Sequence, residues 1–284
     1  MARGFSVRPA GQDIRAGQQV LLKGTVLRPA EIGVLASLGY VEVKVIRRSV
    51  VAILATGNEL SSPDGGLRPG KIYDSNSYGV ATAVSSAGGN PMMLGIARDD
   101  SDSIKTKLNQ GLEADMLVTS AGVSKGDYDV VKDVLTQYGE IEFWSVRMRP
   151  AKPLAFGLLN RSQGKAVPLL GLPGNPVSAL VAFEQFGRPA INKMLGRGNA
   201  PRPTIKAVLE EPIHNSDGRR VYARAIVTKR DGAYYARLTG DQSSNLLTSM
   251  ARANGLAICP EDLPKKETGD TVQVQMLDWP EVVF

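Results

Sequence analysis

Hydrophobic positions change their pattern twice along the chain. Between Val50 and about Met194, short apolar runs alternate with segments of helical period. The runs are Val50 to Ala55, Met92 to Ala97, Asp115 to Ser120, Ile141 to Val146, Pro153 to Gly157 and Val167 to Leu170. Helices are expected from Asn76 to about Ala87, Ser101 to Leu112 and Asp129 to Tyr138, with a further one opening at Pro176. Apolar runs without alternation mark strands buried on both faces, and strands separated by helices build a three-layer α/β fold with a mostly parallel sheet. After the linker-like Gly196 to Pro203 the period shortens. Ile205 to Leu209, Val221 to Thr228, Ala233 to Leu238, Leu256 to Cys259 and Thr271 to Met276 read as short strands of a small C-terminal β-barrel domain.

Upstream, Gln18 to Leu22 and Val41 to Ile46 are strand-like, and Pro29 to Gly39 has a Pro-opened, Gly-closed helix signature. This is too little material for a core, so a partial, β-rich remnant of a larger N-terminal domain is expected. The expected boundaries are 1–46 for that remnant, 47–197 for the α/β domain and 198–284 for the barrel.

Composition narrows the chemistry. A single His (His214) and a single Cys (Cys259) exclude a zinc site built on those ligands and any intrachain disulfide. Cys259 lies in an apolar strand and reads as a buried, inert thiol; His214 reads as a surface residue at a strand exit. Catalysis is left to carboxylates, Lys, Arg, hydroxyls, backbone amides or a hard cation. The net charge of +6 suggests nucleic acid until it is divided: residues 1–49 carry +5, residues 50–197 carry +1 and residues 198–284 carry none. No basic stripe with interleaved aromatics is present, so neither nucleic acid nor a membrane is expected as a partner. The lack of a long apolar run or a signal-peptide core points to a cytoplasmic protein.

Four loops after the α/β strands have compositions suited to more than connection. Thr56-Gly57-Asn58-Glu59-Leu60 brings a carboxylate to a strand end, as an ordinary loop charge or a functional one. In Arg98-Asp99-Asp100-Ser101 one acid suffices to cap a helix, which leaves the other for a cation or a hydroxyl. Thr119 to Asp129 combines Gly and hydroxyls ahead of a helix with Asp127 and Asp129. That mixture suits an oxyanion bridged by a divalent cation. Gly171 to Ala179 places Asn175 at a helix cap and Pro176 at the first helical position. Arg147-Met148-Arg149-Pro150-Ala151-Lys152-Pro153 adds three cations, as a solvated edge or as a dianion clamp.

Taken in order, the segments TGNEL, YDSN, RDD, TSAGVSKGDYD, RPAKP and GLPGNPVSA resemble the molybdopterin-binding domain of the MoeA and gephyrin-E family. Val7 to Ile14, Leu35 to Gly39 and Thr239 to Asn245 extend the resemblance to nearly the whole chain. It implies an enzyme of molybdenum cofactor biosynthesis that takes adenylyl-molybdopterin and molybdate, with Mg²⁺, and releases AMP. By matching position, Glu59, Asp100 and Asp129 would serve metal and pterin, with Arg149 and Lys152 as cations at molybdate. Thr56, Asn76, Ser120, Gly122, Ser124, Gly174 and Asn175 would line the substrate site, joined by Arg224 and Ser244 from the barrel. The resemblance also implies a homodimer and exchange with a MogA-type adenylyltransferase. Two departures stand out. Ala121 occupies a place where the family has a second Gly, and would be strained if its φ is positive. The family's upstream lid segment is missing, which suggests an N-terminally shortened chain. The competing readings are a non-catalytic molybdopterin-binding module and a MogA-type adenylyltransferase.

Overall fold

The computed structural model describes residues 4–122, 130–198 and 201–279. By internal packing the chain divides at Arg47/Arg48 into a short N-terminal unit and a large second unit. In the first, the only regular element among the described residues is α1 (Pro29–Ser37). Pro29 opens the helix, and Glu31 folds back to accept the Arg28 N–H at 2.9 Å. The Arg28 side-chain hydrogen bond holds the Glu31 carboxyl at about 2. α1 buries none of its residues. The strands expected at 18–22 and 41–46 are absent, so the β-rich remnant is corrected to a helix with extended flanks. Apolar alternation alone does not make a strand: the backbone must find a partner edge, and neither segment pairs with one.

The second unit begins with the buried run that patterning marks most strongly. Its elements are β1 (Val50–Thr56), β2 (Leu60–Ser61), β3 (Ile72–Tyr73), α2 (Asn76–Ser86), β4 (Asn90–Ala97), α3 (Ser101–Gly111), β5 (Met116–Ser120) and α4 (Val130–Tyr138). There follow β6 (Gly139–Ser145), β7 (Met148–Arg149), β8 (Pro153–Leu159), β9 (Val167–Leu172), α5 (Pro176–Ala182), a π-helical turn (Phe183–Gly187) and α6 (Arg188–Met194). The main sheet has the order β4-β1-β5-β9-β8-β6, parallel through β9 and antiparallel beyond it. One face packs on α2, α5 and α6 through Val80, Val84, Val177, Val181, Phe183 and Ile191. The other packs on α3 and α4 through Ile104, Leu108, Val131, Val134 and Leu135. The result is three layers.

The chain leaves β1 for β4 on one side and then crosses back to β5 on the other. The sequence therefore reverses direction between β1 and β5, and the loops after these two strands diverge. A crevice at such a switch point, beyond the carboxyl ends of the strands, is where open α/β sheets bind ligands.

The remaining elements are β10 (Thr204–Leu209), β11 (Ile213–His214), β12 (Arg220–Arg230), β13 (Ala233–Leu238), α7 (Leu247–Arg252), β14 (Gly255–Cys259), β15 (Lys265–Lys266) and β16 (Thr271–Met276). Strands β13, β10, β16, β14 and β12 close on themselves through the β12–β13 pairing, so the barrel has no free edge around its circumference. Inward residues such as Ala207, Ala223, Ala225, Ala236 and Ala257 are small, as a narrow barrel requires. Cys259 sits among them fully buried, and burial raises its thiol pKa. The short β7 leaves the α/β layers to pair with β12, Met148 opposite Arg220 and Arg149 opposite Val221. It joins the two parts through main-chain hydrogen bonds.

Candidate active site

Thr56 ends β1 and Ser120 ends β5, on neighbouring strands at the switch point, and both are buried. After Thr56 the chain turns at Gly57, whose φ is +142°. A Cβ there would lie 2.5 Å from Glu59 Oε1, so the missing side chain lets the Glu59 carboxylate fold back over the strand end. Glu59 itself is exposed. Asn58 ties this turn to the loop after β4. Its N–H donates to Asp99 Oδ2 at 2.8 Å, and its side-chain oxygen accepts the Asp99 N–H at 3.3 Å. Lys71 Nζ donates to the Asn58 carbonyl from the segment entering β3. Neither Asp99 nor Lys71 was singled out by the sequence as a residue of the site. The adjacent Asp pair hinted at the first, and nothing in the spacing signalled the second.

Asp100 caps α3. Its Oδ1 accepts the Ser103 N–H at 2.7 Å while its backbone is extended. The two acids thus divide the work: Asp100 spends one oxygen on the helix, and Asp99 latches two loops together. Asp129 and Ser124 lie outside the described residues, as does Asp127. Among the described residues no group of three or more His, Cys, Asp or Glu side chains is arranged to hold a metal ion.

The loop after β5 takes a left-handed course, with φ of +83° at Ala121 and +75° at Gly122. The strain expected at Ala121 is therefore real. Gly122 has a second reason to be Gly, since a Cβ would meet Val131 Cγ1 at 2.5 Å. Ala121 N–H donates to Leu172 O at 3.0 Å, and its Cβ lies 3.6 Å from the position a Cβ of Gly174 would take. This brings the β5 loop against the β9 loop. Asn76, the first residue of α2, donates its side-chain amide to Gly174 O at 2.7 Å and fixes that turn from a third element.

Asn175 sits at the α5 cap position but makes no side-chain cap. Its Nδ2 instead donates to Ser244 Oγ at 2.9 Å, and the Val177 N–H donates to Ser244 O at 3.1 Å. The expected anion-binding helix start is thus met by a carbonyl from the barrel. The loop that carries Ser244 is held from behind by Arg224, the largest fully buried side chain among the described residues. Arg224 Nε donates to Ser249 Oγ at 3.1 Å, and Nη2 to Ser243 O at 3.1 Å and Asp241 O at 3.4 Å. Burial lowers the guanidinium to about 10. Gln242 Oε1 accepts the Arg224 N–H at 2.8 Å and completes the support.

Between β6 and β8 the chain passes Arg147, Arg149 and Lys152. Since β8 runs antiparallel to β9, with Ala155 opposite Gly171, this segment lies at the same sheet edge as the Gly174 turn. A positive φ of 74° at Ala151 sets the turn into β8. Lys152 is exposed. Arg149 turns toward the barrel: it donates to His214 O, and its Nη1 lies 3.6 Å from Asp217 Oδ2. Asp217 is shared with Arg219, whose hydrogen bond is the main reason its carboxyl titrates below the ordinary value. Arg147 Nη2 donates to Gly218 O at 3.0 Å. Two of these three cations, Arg147 and Arg149, are thus directed at the 214–218 turn.

Three family models match parts of the chain. Residues 52–193 match the family described as "Probable molybdopterin binding domain", 206–277 the MoeA C-terminal region (domain IV), and 1–39 the MoeA N-terminal region (domain I and II). The chain is 38% identical over 279 residues to molybdopterin molybdenumtransferase 2 of Mycobacterium tuberculosis (strain CDC 1551 / Oshkosh), covering 95% of this chain and 67% of that one. It is 37% identical over 261 residues to the molybdopterin molybdenumtransferase of Nostoc sp. (strain PCC 7120), covering 90% and 59%. The crystal structure of the molybdopterin biosynthesis MoeA protein from Pyrococcus horikoshii superposes with a TM-score of 0.80 at 30% identity, over 95% of this chain and 65% of that one. The chain thus spans between 59% and 67% of the length of these relatives.

Proposed function

From a chain that belongs to the molybdopterin molybdenumtransferase (MoeA) family, with its part in molybdenum cofactor biosynthesis, we infer a transferase that inserts molybdate into adenylyl-molybdopterin and releases AMP. The observation that carries the reading is the meeting at one sheet edge of the loops after β1, β4, β5 and β9, joined by Ser244 from the barrel. Such an edge offers what the reaction needs. Cleavage of a phosphoanhydride runs on positioning and on stabilisation of charge, so no His or Cys nucleophile is required.

In this reading Thr56, Ser120 and Gly122 form the floor on which the anionic pterin lies, with the hydroxyls as donors and Gly122 admitting close approach. Asn76 orients the Gly174 turn by holding its carbonyl, and Asn175 aligns Ser244 across the cleft. Arg224 acts through the loop it supports, keeping Ser244 in place from a buried position. Ser124 and Asp129 are assigned by matching position alone. Lys152 supplies an exposed cation at the same edge for a tetrahedral dianion. Arg149 reaches that dianion only by leaving Asp217 and the His214 carbonyl.

Mg²⁺ fits the donor set in part. It takes one or two carboxylates and keeps several waters, and Glu59 with the second oxygen of Asp100 would supply those contacts, joined by Asp129. The ion would contribute neutralisation of the phosphoanhydride oxygens. A homodimer and a MogA-type partner delivering the adenylylated substrate belong to the same proposal. No helix among the described residues is long and apolar enough to cross a membrane.

The test is to incubate the purified chain with adenylyl-molybdopterin, Mg²⁺ and molybdate and to follow AMP. Release that depends on molybdate is expected. Tight binding of the pterin without AMP would make the chain a binding module instead.

A further inference from the structure

Among the described residues, the helical stretch that begins at the Gly174 turn makes polar contacts with the barrel at both ends, and one of them is at the site. At the N-terminal end, Ser244 O accepts the Val177 N–H at 3.1 Å. Past α5 the helix widens into the π turn Phe183–Gly187, which adds a residue to the turn and changes the direction of its side chains. Glu184 lies in that turn and is 8% exposed. Its carboxylate accepts two forked pairs: Arg188 Nε and Nη2 at 2.7 and 3.1 Å, and Arg202 Nε and Nη2 at 2.9 and 3.1 Å. Arg202 lies in the segment entering β10, and its Nη1 donates to Leu277 O at 2.7 Å, just beyond β16. Gln185 Nε2 donates to Gln275 Oε1 at 2.9 Å, inside β16. Two successive residues of the π turn therefore grip the barrel.

We propose that Glu184, through Arg202, is a positioning residue that fixes the angle of the barrel on the α/β layers and so seats Ser244 on the start of α5. The apolar contact between the two parts runs through Leu256, with Tyr222, Met250 and Leu277 packed beside it. Apolar contact of this kind is non-directional and resists slipping poorly. Forked carboxylate–guanidinium pairs fix orientation as well as distance. Val177 stands seven residues from Glu184, roughly 10 Å along the helix. A tilt of about 10° at the clasp would move the Ser244 contact by nearly 2 Å, enough to break a hydrogen bond. Burial alone would raise the Glu184 carboxyl; the Arg188 and Arg202 hydrogen bonds reverse this and hold it below the ordinary value.

The experiment is hydrogen exchange at the Val177 amide, with the β9 amides Leu169 to Leu172 as the internal standard for global opening. In Glu184→Gln, Val177 is expected to exchange about tenfold faster while β9 is unchanged. Arg188→Met removes only the pair internal to the helix and is expected to leave Val177 protected. If Glu184→Gln does not fold, Arg202→Met carries the same test, because Glu184 then keeps Arg188. Unchanged Val177 exchange in the clasp variant overturns the proposal, and so does equal acceleration in Arg188→Met. The readout needs no substrate, so its failure leaves the reaction proposed above untouched.

Discussion

At the residue scale, Ala121 shows how a departure from a motif becomes a physical quantity. Its φ of +83° lies where a Cβ is strained. Ala121→Gly relieves roughly 1–2 kcal/mol of that strain and returns about half of it through the freer unfolded chain. A net gain of about 0.5–1 kcal/mol in urea unfolding is expected. Gly122→Ala should do the opposite and cost about 2 kcal/mol or more, since it combines a positive φ with overlap on Val131. Equal stability in the two variants would mean that the loop relaxes at no cost. Asp100 poses a second residue question, because capping and catalysis predict different responses. Asn caps as well as Asp, so Asp100→Asn keeps the stability of α3, while Asp100→Ala loses about 1 kcal/mol. If Asp100 also serves a cation, both variants lose AMP release. If it only caps, Asp100→Asn remains active.

At the element scale, legibility followed the range of the cause. Runs such as Val50 to Ala55 and the Pro-opened helices were readable because burial on both faces and missing amide donors leave their mark in neighbouring residues. The positive φ at Ala121 entered only as a condition, from the resemblance to a family that has a second Gly at that place. What could not be read depended on partners distant in sequence. β7 is a strand only because β12 lies beside it, and the 18–22 and 41–46 segments are not strands because nothing does. Asn175 looked like a cap and became a bridge, because Ser244 arrives from 69 residues away. Arg149 looked like part of a clamp and was drawn off by Asp217. That pairing makes its own prediction: Asp217→Asn leaves Arg149 only its bond to His214 O and, by loosening it, lowers the molybdate concentration needed for half-maximal AMP release several-fold. An unchanged requirement would place Arg149 outside the oxyanion site.

At the scale of the whole molecule, the question is what joins an α/β layer system to a barrel stiffly enough for one serine to complete a site. Glu184 gives the junction a dependence on acidity whose sign is fixed by its environment. Its carboxyl titrates below the ordinary 4.5 in the folded chain because the Arg188 and Arg202 pairs outweigh the cost of burial. The stabilisation is therefore complete above 4.5 and is lost as pH falls through the lowered folded value. Glu184→Gln lacks it at every pH. At neutral pH the variant should be less stable by about 3 kcal/mol, the scale of a buried pair left with one partner removed. The gap should close on acidification, because the native protein then loses what the variant never had. Asp217, Asp241 and Glu261 are also held below their ordinary values, but they are common to both proteins and cancel in the difference. Urea midpoints of the two proteins along a pH series provide the measurement. A gap that stays constant into acid would mean that the clasp stabilises by packing, with no contribution from its charge.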